Sequence, residues 1–157
     1  MVNNKKNNNS IRLVAVAGAL AFWAACVGAE NSSSLDLESH EFVDTAIVAI
    51  VSSWSADELL KRASSEMLAA AGHQIDVNSL FDQWRPLGGL IAYTGSTGSA
   101  EIVESPEIGK MIEATYSAKA TFQYGTAEIR IEVVKRDGNW SILAFKVIPR
   151  LKASHGV

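Results

Sequence analysis

A single cysteine, Cys26, excludes any intramolecular disulfide framework and any thiolate-based zinc or iron–sulfur site. Only three prolines occur among the 157 residues, which excludes a proline-rich chain, and the one asparagine-rich stretch is Met1 to Ser10. Basic residues number 14 against 17 acidic ones, and the formal charge of -3 argues against a nucleic-acid binder. What is present suits one globular domain: 48% hydrophobic residues, four tryptophans and 20% charged residues supply enough apolar surface to offset chain entropy.

The longest uncharged apolar run, Leu13 to Val27, follows Lys5, Lys6 and Arg12 and ends at Val27-Gly28-Ala29 before Glu30. A basic start, an apolar middle and a small-residue end make a secretory signal, with cleavage expected near Ala29. Fifteen helical residues span only about 22 Å, short of a hydrocarbon core of roughly 30 Å, although a retained anchor is the alternative. A lipoprotein reading rests on Ala24-Ala25-Cys26, but Trp23 stands where a lipid-attachment box has leucine. Cleavage would remove three basic residues and no acidic one, moving the charge from -3 to -6. The expected organisation is a signal over 1–29, a polar linker over 30–37, one domain over 38–150 and a tail over 151–157. Export to a periplasm or extracellular space follows, with no membrane contact beyond the signal.

From Ser39 to Ser53, Phe42, Val43, Ala46, Ile47, Ile50 and Val51 recur at helical spacing. Ser55 and Glu58 form a capping box, which opens a helix with Leu59, Leu60, Ala63, Met67 and Ala70 inward and a stop at Gly72. A shorter helix around Ser79 to Arg85 ends at Pro86. The period then falls to two. Leu87 to Thr94 reads as a strand with a loose exit at Gly95 to Ser99, and Ser105-Pro106-Glu107 as a turn. Tyr116 to Tyr124, Ala127 to Val133 and Trp140 to Ile148 read as an antiparallel meander with Gly125-Thr126 and Asp137-Gly138 as two-residue loops. Those loops put Phe122 opposite Ile129, Lys119 opposite Glu132, Val133 opposite Ile142 and Ile131 opposite Ala144. The fold class is α+β, with N-terminal helices packed on a curved antiparallel sheet.

Trp84-Arg85-Pro86-Leu87-Gly88 at the helix–strand crossing and Asp137-Gly138-Asn139-Trp140-Ser141-Ile142 near the end complete a pattern that resembles the NTF2-like (cystatin-like) superfamily over residues 38–149. The resemblance implies a cone in which the sheet wraps helices and a mouth that often holds a ligand or an active site. It implies no particular activity, because isomerases, dehydratases, transport factors and interaction domains share the shape.

On the expected register the inward face carries Tyr116, Phe122, Tyr124, Trp140, Ile142, Ala144 and Lys146, with no Asp, Glu or His among them. A general base would have to come from His40, Asp44 or His73, each of which reads as an exposed polar residue, so no catalytic residue is assigned. The candidate ligand-binding residues are Tyr93, Tyr116, Tyr124, Trp140 and Lys146, Lys146 reading either as a pocket cation or as a lysine whose amine reaches the rim. Leu143, Phe145 and Val147 make an apolar stripe on the opposite face of the last strand, which reads as a homodimer surface. The functional expectation is an exported non-catalytic module binding a small apolar or anionic ligand or assembling with protein. The alternative is a small isomerase- or dehydratase-like enzyme in the cone pocket. No metal and no cofactor are expected.

Overall fold

Helix α1 (Ala24–Ser53) begins well before the expected Ser39 and runs through the segment read as a linker. No proline or glycine lies between Ala29 and Trp54, so the serines and asparagine there lower helix propensity without breaking the helix. Tertiary contact supplies the rest, because Asp36 accepts the Ala100 N–H at 2.7 Å and Ser39 is fully buried. The computed structural model describes residues 24–74, 77–105 and 109–152. The expected signal segment thus lies outside the described residues except for the start of α1. Among the described residues no helix is long and apolar enough to cross a membrane.

Ser55 caps α2 (Ala56–Leu60), its hydroxyl accepting the Glu58 N–H at 3.3 Å. The expected single helix to Gly72 is two helices, because residues 61–64 leave the helix to pair with a strand. Ile142 donates its N–H to Arg62 O at 2.7 Å and accepts the Ser64 N–H at 2.8 Å. Ser64 then caps α3 (Ser65–Gln74), its hydroxyl accepting the Met67 N–H. Helix α4 (Val77–Trp84) passes into a single 3₁₀ turn, Arg85–Leu87, where Pro86 ends the α-helical ladder.

Four antiparallel strands follow in sequence order: β1 (Leu90–Ser105), β2 (Gly109–Phe122), β3 (Gly125–Arg136) and β4 (Asn139–Leu151). They form a curved, unclosed sheet against the helices, an α+β fold as expected. The glycine-rich stretch 95–99 is strand and not a loose exit; β1 is irregular between Tyr93 and Ser96 and then pairs regularly with β2 to Ser105. The β2–β3 turn is Gln123-Tyr124, with Phe122 opposite Gly125 and Lys119 opposite Glu128. The expected Gly125-Thr126 loop is therefore wrong by four residues of partner. Such an even slip keeps every side chain on its expected face, and alternation cannot detect it. Gly125 has a packing reason: a Cβ there would stand 2.4 Å from Arg150 O and 2.9 Å from the Leu87 side chain. Asp137-Gly138 is the expected hairpin, both residues at positive φ, with Val133 opposite Ile142.

One residue later the ladder shifts. Glu132 faces Ala144 and Ile131 faces Phe145, so Leu143 is an extra residue, a β-bulge. A one-residue shift exchanges faces. Beyond the bulge Phe145 and Val147 therefore turn toward the core, whereas Ala144 and Lys146 turn outward and are exposed. The inner face carries Tyr116, Phe122, Ile129, Ile131, Val133 and Ile142 against Val43, Ile47, Ile50 and Trp54. Phe145→Glu should consequently cost about 3 kcal/mol or more in urea denaturation, because it places a charge against Trp84, whereas Lys146→Glu should leave the transition nearly unchanged. The opposite order of effects would contradict the bulge.

Candidate functional site

Two arrangements beyond the core bring polar or apolar groups together, and each depends on an irregularity described above. The first joins α1 to β1. Asp44 and Asp36 lie eight residues apart on α1 and face the free edge of β1. Asp44 Oδ1 accepts from Tyr93 OH at 2.6 Å, from Ser96 Oγ at 2.6 Å and from Ser96 N–H at 3.0 Å. Asp36 Oδ1 accepts a second β1 donor, Ala100 N–H, at 2.7 Å. Tyr116 OH shares a 2.8 Å hydrogen bond with Ser39 Oγ and donates to Asp36 O. His40 stacks on Tyr116 with ring centroids 5.6 Å apart, and its Nε2 lies 3.4 Å from Asp44 Oδ2.

The electrostatics of this cluster favour anchoring over proton transfer. Burial pushes the Asp44 carboxyl up, but hydrogen bonds from Ser96 and Tyr93 and the nearby His40 outweigh it and hold the group below the usual carboxylate range. Burial and the Asp44 carboxylate push the Tyr93 phenol well above its ordinary value. Burial also raises Tyr116, against the hydrogen bond from Ser39. Asp44 is thus a carboxylate with one oxygen, Oδ1, engaged by three donors, and both phenols are donors that keep their protons. A general base working near neutrality needs the reverse. Asp44 was expected to be solvent-exposed and is instead the centre of this latch, whereas the side chain of His73 lies outside the described residues. Among the described residues no cluster of three or more His, Cys, Asp or Glu side chains could hold a metal ion.

The five expected ligand residues do not converge. Tyr93 and Tyr116 belong to the latch. Tyr124 sits in the β2–β3 turn, 61% exposed, because the true turn lies two residues earlier than expected. Trp140 is half-buried beside Lys135, whose ammonium lies 5.7 Å from its ring. Lys146 points away from the core. The expected stripe of Leu143, Phe145 and Val147 is not on the outer face: Phe145 packs edge-on to Trp84 at 6.4 Å and Val147 is buried, both turned toward the helices by the bulge.

The second arrangement is an apolar cleft of about 300 Å³ where α2, α3 and α4 meet β4. Leu59, Met67, Leu80, Trp84, Leu143 and Phe145 supply most of its wall, and Ala70 stands at an exposed position on α3. The break at residues 61–64 and the bulge at Leu143 meet at this edge, so the helices do not close on the strand. Glu66 borders the cleft and pairs with Arg136, tying α3 to the β3–β4 hairpin. Arg136 holds the Glu66 carboxyl down at about 2. In the sequence Leu59 and Met67 read as an ordinary core face and Leu143 and Phe145 as an outer stripe, and no local pattern marks the gap between them.

The fold and the cleft together define an α+β protein with an apolar cleft beside its main core. Comparison of the chain with family models, with curated proteins and with solved structures finds no match.

Proposed function

We propose that this protein is a non-catalytic binding module whose cleft between α2–α4 and β4 takes a small apolar ligand. The observation that carries the reading is the cleft itself, about 300 Å³ with walls of Leu, Met, Trp and Phe. That volume lies at the small end of ligand sites, and apolar walls with few polar groups are their usual composition. The tied-up state of Asp44, Tyr93 and Tyr116 supports a binding role over a catalytic one. Helices preceding a curved four-stranded meander support the NTF2-like shape, with the binding site displaced from the cone interior, which Ile47, Trp54 and Phe122 fill. Export through the N-terminal segment belongs to the same reading and rests on the residues of that segment alone.

A neutral fluorescent probe, N-phenylnaphthylamine, should bind the full chain saturably with an emission increase. Ala70→Trp, a change at an exposed helix position that fills the cleft mouth, should weaken this binding about tenfold or more while circular dichroism stays native. Equal binding by both proteins, or none by the wild type, would contradict the reading.

A further inference from the structure

The outer face of the sheet carries a row of hydrogen-bond donors with no acid in it. Thr97 pairs with Ser117, Ser117 with Arg130, and Arg130 with Lys146, each directly across from the next. All four side chains are exposed and face away from the helices. Strands lie about 4.8 Å apart, so the row crosses the whole sheet in roughly 15 Å. It forms the floor of an open hollow of about 580 Å³ bordered by Glu128 and Glu132.

Arg130 opposite Lys146 is a like-charge cross-strand pair, an arrangement that costs stability when nothing lies between the charges. Glu128 engages Arg130 at 2.8 Å, and among the described residues no ion pair engages Lys146. The adjoining hollow adds Lys119 and Arg150, so across the two hollows four cations stand against Glu128 and Glu132, while Glu101 and Glu113 pair further along the same face. Two adjacent cations flanked by hydroxyl donors match a phosphate group, which has three terminal oxygens to satisfy. The bulge at Leu143 is what brings Lys146 to this face.

We propose that the Thr97–Ser117–Arg130–Lys146 row binds a phosphate-bearing small molecule, with the phosphate between Arg130 and Lys146. This site lies on the opposite face of the sheet from the core and does not depend on the apolar cleft. The test is a titration of the isotopically labelled full chain with pyrophosphate at constant ionic strength, followed by amide shifts and by thermal melting. Saturable shifts should centre on Ser117, Arg130 and Lys146, and pyrophosphate should raise the melting temperature. The double variant Arg130→Ala/Lys146→Ala should melt no lower than wild type, since a repulsive pair is gone, yet bind at least about tenfold more weakly. Lys61→Ala, an exposed cation elsewhere, should bind as wild type does. Unsaturable drift spread over all lysines, undiminished binding by the double variant, or binding to phosphatidylglycerol vesicles with no response to pyrophosphate would each overturn the proposal.

Discussion

Trp54→Ala should lower stability by about 4 kcal/mol, the largest loss expected from any single truncation here. Trp54 follows the last residue of α1 and is 5% exposed. Its ring meets Phe122 at 5.0 Å, Trp84 at 6.2 Å and Phe81 at 6.5 Å, so one side chain joins α1, α4 and β2. Its backbone is at φ 47, a left-handed conformation that usually falls to glycine after a helix, and Ser55 N–H closes the turn on Ile50 O. The chain tolerates that conformation because the ring is buried in return. Trp54 Nε1–H also donates to Gly88 O at 2.9 Å, which fixes the chain where the helices give way to the sheet. Trp54→Phe keeps most of the packing and loses this hydrogen bond, so it should cost about 1–2 kcal/mol. Urea denaturation followed by circular dichroism reads both values, and a loss below about 1.5 kcal/mol for Trp54→Ala would mean that Trp54 does not hold these elements together.

Asp44→Ala should cost about 2–3 kcal/mol, because Tyr93 OH, Ser96 N–H and Ser96 Oγ lose their shared acceptor. The group is partly exposed, and water replaces some of the lost bonding, which keeps the figure below that for a fully buried carboxylate. The pH dependence has a definite sign. The folded state holds the Asp44 carboxyl below its unfolded value, so its stabilisation is complete above the ordinary carboxylate value of about 3.9 and fades as the pH falls through the lower folded value. Glu66, held at about 2 by Arg136, acts in the same direction. Wild-type stability should therefore drop steeply below about pH 4, and in Asp44→Ala that drop should be shallower. Parallel acid transitions for the two proteins would show that Asp44 does not carry the linkage.

The faces of β2 and β3 were legible in the sequence because alternation from Tyr116 to Phe122 and from Ala127 to Val133 is regular and half-buried. Their register was not, since a slip of four residues leaves the same side chains inside. The Asp137-Gly138 hairpin was legible from local chemistry alone, as positive φ at both positions favours that pair. Beyond Leu143 the reading failed, and with it the placement of Phe145, Lys146 and Val147, because one bulge residue inverts every face after it. Asp44 looked exposed on the helix pattern; its partners at Tyr93 and Ser96 lie 49 and 52 residues away, on an irregular stretch of β1 that no local signal announces. The cleft was half-visible. Its walls at Leu59 and Met67 read correctly as inward-facing, but a gap between elements depends on where α2 breaks, and a tertiary pairing of residues 62–64 with Ile142 decides that.

The bulge and the helix break have a common consequence. Each departs from the regular pattern of its element, and together they leave an apolar space at one edge and a cationic row on the outer face. The measurement that tests the binding role most directly is a set of intermolecular nuclear Overhauser effects between N-phenylnaphthylamine and the methyl groups of the full chain. Contacts to the Met67 ε-methyl and to the δ-methyls of Leu80 and Leu143, with none to Ile47 or Ile131 in the filled core, are the expected result. Contacts confined to other methyls, or no contacts at saturating probe, would contradict a ligand-binding role for the cleft.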